Sequence, residues 1–578
     1  MRNFLLGGLA LALTACASAP QQETQPPGIN AEFTQLAEQA WEYNQEQRHP
    51  DDRLLDISPQ ALQERHAQRR EYYQQLEALD ASQLDEQNQI NRDMIMYALA
   101  NQIDQYEFNA HLIPLTNESG FHSRIASLPN SSTLRSEEDY RNYLSRLQAI
   151  PAHFEQQIEY MREGLNRGIT QPAVVLTNFP AGIMAYVKAD PRESVFYAPF
   201  NERPRNLSRD VFSELEMEAQ TIIATQVNDA YQDFHDFMVD DYIPNARDTI
   251  AAHDLPRGEA FYRNRALHYT TTDLTVEEIH QIGLDEVARI RAEMMEVIES
   301  VEFDGSFDEF IEFLRNDPQF YADSAEELLK EAAYIAKQAD AALPRFFTHL
   351  PRTPYGVAPV PDEIAPNYTT GRYVSARQDD QPGYYWVNTY ALDRRPLYEL
   401  EALTLHEGVP GHHLQIALAQ EMDHLPDYRR NTYISAFGEG WGLYAEYLGL
   451  EAGFYQDPYS NFGRLTYEMW RAARLVVDTG MHTMGWSRDR AVEFLASNTA
   501  LSMHNVNTEI DRYISWPAQA LSYKLGELKI KELRAEAEET LGDDFDLREF
   551  HDEVLSNGSV PLQTLEDQIR AYIQRKQS

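Results

Sequence analysis

The stretch His406-Glu407-Gly408-Val409-Pro410-Gly411-His412-His413, followed by Glu439-Gly440-Trp441-Gly442-Leu443-Tyr444-Ala445-Glu446, decides how this chain is read. It sets two or three imidazoles and a carboxylate beside a further Glu. That is the donor set of a hydrolytic zinc site. Zinc takes neutral His nitrogens and carboxylate oxygens, and a catalytic site keeps one position for water. A His-Glu pair on a helix, a second His further on and a Glu on a later helix supply three ligands and a general base. The residues offered are His406, His412 or His413, and Glu439, with Glu407 as the base. A lone His-Glu pair among 17 His means little. The added Glu-Gly-Trp-Gly segment outweighs the plainer reading, a His doublet that orients a buried helix.

The spacing departs from His-Glu-x-x-His, where the two imidazoles stand four apart on one helix face. Position four after His406 is Pro410. On a straight helix His412 falls on roughly the opposite face, about 9 Å along, and His413 on the same face about 10.5 Å away. Neither reaches a shared ion. Pro410 cannot donate to the carbonyl of His406 and its ring clashes with it, so the helix has to bulge or kink there. Gly411 accepts the backbone that results. The expectation is a metal-binding helix with a two-residue bulge.

These segments, with Arg512-Tyr513-Ile514-Ser515-Trp516-Pro517-Ala518-Gln519-Ala520, resemble a bacterial family known as domain of unknown function 885, over most of the chain. They also resemble, distantly and only locally, the thimet-oligopeptidase type of helical zinc peptidase. Gly411-His412-His413-Leu414-Gln415 is similar to that group's Gly-His-Ala-Leu-His. The resemblance implies His412 as second ligand and Glu439, 26 residues further on, as third; His413 stays the alternative. It also implies an oxyanion-binding tyrosine after the metal segments, here Tyr513 first and Tyr523 second.

Composition bounds the rest. The 578 residues are 43% hydrophobic and 11% aromatic, so the chain is globular and long enough for a large core. A net charge of −43, from 92 acids against 49 bases, repels nucleic acid and anionic headgroups, so no nucleic-acid partner is expected. The acids are spread along the whole chain, which speaks for solubility over recruitment of cationic substrates.

The single cysteine, Cys16, excludes an intrachain disulfide. Arg2, the apolar run Phe4–Leu13 and Leu13-Thr14-Ala15 before Cys16 read as a signal peptide over residues 1–15. Leu-Thr-Ala-Cys resembles the bacterial lipoprotein box, with Cys16 lipidated as the new first residue. Ala17, not Asp, implies the outer membrane, facing the periplasm. The plainer reading is a signal cleaved near Ala19. Residues 16–30 then form the lipidated Cys and a flexible tether, and the acyl chains are the only expected membrane contact.

From Ala31 the pattern is mainly helical. Ala61–Asn91 reads as solvated helix. Leu207–Tyr242 carries Phe212, Leu215, Met217, Ile222, Ile223, Val227, Tyr231, Phe234 and Phe237 at mostly helical intervals, a core face, with Ser208 as its start. Thr275-Val276-Glu277-Glu278 and Ser324-Ala325-Glu326-Glu327 predict capping boxes. Pro354–Pro361 and Tyr384–Tyr390 predict strands. The expected fold is mainly α, a large helical metallopeptidase-like fold with a small β-sheet beside the active-site cleft. An N-terminal helical half, 31–260, would precede a catalytic half, 261–578.

The expected function is hydrolysis of short peptides in the cell envelope, as a carboxypeptidase, dipeptidyl carboxypeptidase or oligopeptidase with one Zn2+ per chain. Asn388 at the second strand, Arg512 and Lys524 are expected to bind substrate. Arg471, Arg474, Arg512 and Lys524 are cations able to hold a substrate carboxylate. Glu446 and Asp478 are candidate carboxylates behind the His ligands, with ordinary salt-bridging preferred for Glu446. The alternatives are a non-peptide amidohydrolase and a non-catalytic envelope lipoprotein that uses the helical scaffold for binding.

Overall fold

The computed structural model describes residues 28–48, 52–132, 134–362, 364–365, 368–376 and 381–578. The signal peptide, Cys16 and most of the tether lie outside the described residues. The fold is mainly α with one small sheet. No helix among the described residues is long and apolar enough to cross a membrane.

Local chemistry sets the helix starts. Thr275 accepts from the Glu278 amide and Glu278 returns a bond to Thr275, closing the predicted box at the head of Val276–Ser300 (α1). Ser324 caps Ala325–Ala342, while Glu327 bonds the amide of Asp323, one residue earlier than a box requires. Ser208 caps Arg209–Ile222. The run onward to Asn245 stays helical, through wide turns at Ile223–Val227 and Met238–Tyr242. Its Phe212, Leu215, Ile222, Ile223, Val227, Tyr231, Phe234 and Phe237 enter the main core, but Met217 faces outward, exposed. That core draws residues from Met94 to Ile573, so it is built from both sides of residue 260.

The two predicted strands form as Tyr355–Pro359 (β1) and Gly383–Val387 (β3), with a third, Gly371–Val374 (β2), between them in sequence. The sheet order is β1-β3-β2, with β1 parallel and β2 antiparallel to β3. The strand expected beside the site is therefore the central one, with both edges filled. The open edge belongs to β2. Asn388 N donates to Thr370 O, and the register Gly371↔Val387 then turns the peptide groups of Gly371 and Tyr373 outward.

The remaining elements surround this edge. They are Leu400–Glu407 (α2), His412–Gln420 (α3), Ser435–Ala452 (α4), Pro458–Thr483 (α5), Met503–Ser515 (α6) and Ser522–Leu541 (α7). The spine is α5, buried without interruption from Phe462 to His482. It carries Arg464, Glu468, Arg471, Arg474, Asp478 and His482 at three- or four-residue spacing, so one buried stripe is polar. Buried charge is tolerated only when paired. Arg464 meets Glu468 at 3.0 Å, Arg474 meets Glu509 at 3.0 Å, and His482 Nε2 bonds Tyr513 O at 3.0 Å. This stripe fixes the groups that form the back wall of the site.

Candidate metal centre and cleft

The helix carrying His406 does not bulge; it stops. α2 ends at Glu407, the chain turns through Gly408–Gly411 with a cis Val409–Pro410 bond, and α3 starts afresh at His412. The turn is stitched by Gly411 N to Leu405 O and His413 N to Gly408 O, at 3.0 and 3.1 Å. A Cβ on Gly411 would stand 1.9 Å from His406 O, so only glycine fits. Two short helices meeting at this turn bring the rings of His406 and His412 to 4.7 Å between centroids, at 89°. His413 points elsewhere: it bonds the Tyr373 hydroxyl at 3.0 Å and packs on the Tyr355 ring.

Glu439 comes from the second turn of α4. One helical turn on, Gly442 leaves room for His406, because a Cβ there would lie 2.6 Å from the imidazole. Tyr433, just before α4, donates to Glu439 Oε1 at 3.0 Å. The other oxygen, Oε2, lies 3.5 Å from His406 Nε2 and 3.4 Å from His412 Nε2. All three donors fall within 4.8 Å of one another. Behind them, Glu446 takes His406 Nδ1 at 2.7 Å and lies 3.5 Å from Arg471. Glu446 is therefore more than an ordinary helix ion pair: it fixes which His406 nitrogen faces the centre.

These residues suit a metal ion. Distances of 3.4–3.5 Å are long for N–H···O bonds. They match neighbouring ligands on one tetrahedral ion, ~3.3 Å apart when each sits about 2.0–2.1 Å from it. His412 Nδ1 is buried with no hydrogen-bond partner among the described residues, so Nε2, facing Glu439, is its engaged nitrogen. Burial opposes a charged His406, but Glu439 and Glu446 beside it prevail and raise it to about 10. The surrounding carboxylates thus make a field that favours positive charge.

Glu407 and the triad line one cavity of about 460 Å³ with Gly371, Arg372 and Tyr373 of β2, and with Arg474, Arg512 and Tyr523. Glu407 Oε2 accepts from Tyr373 N at 2.8 Å, which ties the expected base to the open strand edge. No other donor among the described residues engages that carboxylate.

Several expected site residues lie elsewhere. Asn388 is fully buried, its amide donating to Ala365 O, Tyr368 O and Thr369 O and its oxygen accepting from Tyr390 N. It clamps a loop and is not a cleft residue. Lys524 is fully buried and spends its three donors on Glu286, Glu468 and Glu527, so it is an internal cation. The Tyr513 hydroxyl donates to Glu509 and accepts from Trp470 Nε1 and Arg474 Nε, at 2.7, 2.8 and 2.7 Å. It is saturated and sits behind the wall. Tyr523 lines the cavity, with the Arg474 guanidinium 4.4 Å from its ring centre.

Asp478 accepts from Tyr262 and the Ala518 amide, not from a His ligand. Burial lifts its carboxyl to about 7. Between the ordinary carboxylate range and pH 7 the native state therefore keeps a proton that the unfolded chain has lost. Stability falls as pH rises through that window. Asp478→Asn keeps the oxygen that takes both bonds and removes this penalty. The variant is expected to melt near wild type at pH 4–5 and several degrees higher at pH 8. A melting difference that does not grow with pH would contradict it.

The sequence reading missed Tyr433, Arg372 and the β2 edge. Tyr433 carries no motif signal. Strand β2 is four residues, Gly-Arg-Tyr-Val, too short for an alternation to register.

A family model described as bacterial protein of unknown function (DUF885) matches residues 38–569. No curated protein matches the chain in sequence. It is similar to the crystal structure of a candidate lipoprotein from Colwellia psychrerythraea, with 28% identity, a TM-score of 0.87, and coverage of 95% of this chain and 100% of that one. A candidate lipoprotein of unknown function from Shewanella oneidensis shares the fold at 16% identity and a TM-score of 0.69, over 93% of this chain and 98% of that one.

Proposed function

The chain belongs to the bacterial family of unknown function DUF885, and on that premise we propose that it is a zinc-dependent peptidase of the cell envelope that hydrolyses short peptides. One observation carries the reading: His406, His412 and Glu439 converge to within 4.8 Å in a cleft that also holds Glu407. The donor types are those of a catalytic zinc site, three protein ligands with room for water. When bound, zinc supplies Lewis-acid polarisation of a carbonyl oxygen and acidification of water.

The chain's own residues do the rest. The outward peptide groups of Gly371 and the outward carbonyl of Tyr373 offer an edge on which an extended peptide can lie as an added strand, the Tyr373 N–H being held by Glu407. Glu407, held by the Tyr373 amide beside that edge, takes a proton from the attacking water as its oxygen bonds to the carbonyl carbon. The C–N bond then breaks, and Glu407 returns the proton to the leaving amine. The Tyr523 hydroxyl, on the cleft wall, donates to the oxyanion as charge develops. Glu446 and Tyr433 keep His406 and Glu439 oriented.

The lipoprotein box at Cys16, with Ala17 after it, supports attachment to the outer membrane on its periplasmic side; the Colwellia relative is described as a lipoprotein, with no membrane named.

Incubation with a peptide library, read by mass spectrometry, tests the function. Cleavage that stops on chelation is expected. A zinc-loaded protein that cleaves no peptide would sink the peptidase reading and favour another amide or a binding role. Tyr523→Phe is expected to lower kcat by about 10–1000-fold. Tyr513→Phe, which breaks a buried network, is expected to lower Tm and leave kcat nearly intact; the reverse pattern would move the oxyanion role to Tyr513.

A further inference from the structure

On the cleft wall, cations and acids are not paired one to one. Arg474 and Arg512 share one carboxylate, Glu509, at 3.0 and 3.3 Å. Two guanidiniums against one acid leave one charge unmet at that place. Arg474 cannot swing away to find another partner, because its guanidinium is held between the rings of Trp470 and Tyr523, each 4.4 Å from it. Its Nη1 has no hydrogen-bond partner, although the residue is only 2% exposed. Arg372, on the open strand β2, lines the same cavity and has no carboxylate within 4.0 Å among the described residues. It packs over the Tyr368 ring and lies close enough to Glu407 and Glu118 to feel their charge. Glu118 is exposed. In a chain of net charge −43, Arg372 is a cleft cation with no carboxylate beside it, next to two guanidiniums that share one acid.

We propose that Arg372, Arg474 and Arg512 form a subsite for a substrate carboxylate. The planar fork of a guanidinium matches a carboxylate, and three guanidiniums lining one wall favour a negative group placed between them. The carboxylate is either the free C-terminus of a short peptide or an acidic side chain. The first makes the enzyme an exopeptidase acting from the C-terminal end; the second makes it an endopeptidase selective for acidic peptides. The word substrate rests on the peptidase reading; the binding preference does not.

The full chain in detergent, carrying Glu407→Gln to prevent turnover, separates these. Isothermal titration is run with three N-acetylated peptides of one length and sequence: free carboxyl end, amidated end, and amidated end with one internal Asp. One of the two carboxylate-bearing peptides is expected to bind at least about tenfold tighter than the neutral one, and which one names the source. Adding Arg372→Gln, which breaks no ion pair among the described residues, is expected to shrink that ratio several-fold. Adding Arg512→Gln is expected to do the same, with Tm measured beside it. Equal affinity for all three peptides, or no binding of any, overturns the subsite. So does a preference that survives both arginine variants, which would belong to the metal centre instead. Hydrolysis is scored separately with Glu407 intact. A carboxylate preference without any cleavage would sink the peptidase reading and leave the subsite standing.

Discussion

Glu407→Gln is expected to bind zinc as wild type does and to lose peptide hydrolysis by about 10²–10⁴-fold in kcat. The amide keeps the size of the carboxylate and can still accept from the Tyr373 amide, now 2.8 Å from Glu407 Oε2. The turn between the two metal-bearing helices is therefore undisturbed. What the amide cannot do is take a proton from water and pass it to the leaving amine. The loss belongs to kcat, with KM little changed, since the amide removes the proton transfer but leaves the β2 edge in place. A variant that hydrolyses peptides within about threefold of wild type would remove Glu407 from the chemistry.

His412→Ala is expected to abolish tight zinc binding, whereas His413→Ala is expected to keep it. The two side chains are neighbours in sequence with opposite fates. His412 Nε2 stands 3.4 Å from Glu439 Oε2, while His413 is spent on the Tyr373 hydroxyl. Losing one of three protein ligands leaves too few to hold the ion, so affinity is expected to fall by several orders of magnitude. His413→Ala unseats Tyr373, whose amide holds Glu407, so it is expected to lower activity modestly without metal loss. Equilibrium dialysis against a zinc chelator reads both. Retention by His412→Ala with loss by His413→Ala would reverse the assignment.

The legible part of this chain was its chemistry, and the illegible part was the geometry that long-range packing imposes. His406, Glu407 and Glu439 stand out because few other roles need those residue types together. The choice between His412 and His413 depends on where the second helix begins, and that follows from the course of four residues, Gly408–Gly411. Pro410 announces an interruption but not whether the helix bulges or breaks. Helix starts at Thr275 and Ser208 were readable because a cap is a contact within four residues. The roles of Lys524 and Asn388 were not, because their partners Glu286 and Ala365 lie on other elements. A buried lysine and a cleft lysine have the same letter; only the ion cluster around Lys524 tells them apart. Tyr513 and Tyr523 were both readable as tyrosines near the site, and only their hydroxyl partners separate wall from backing.

The same logic applies to the cations of α5. Arg471 and Arg474 read as a basic pair in an acidic chain, compatible with substrate binding or internal pairing. The structure gives each a different balance. Arg471 faces Glu446, the carboxylate behind His406. Arg474 shares Glu509 with Arg512, so two guanidiniums answer to one carboxylate.

The most direct test is to measure zinc and peptide hydrolysis on one purified sample, before chelation, after it, and after zinc is returned. The account predicts about one zinc per chain, lost together with hydrolysis and restored together with it. A chain that neither carries zinc nor takes it up, or that hydrolyses peptides equally well without it, would contradict the account.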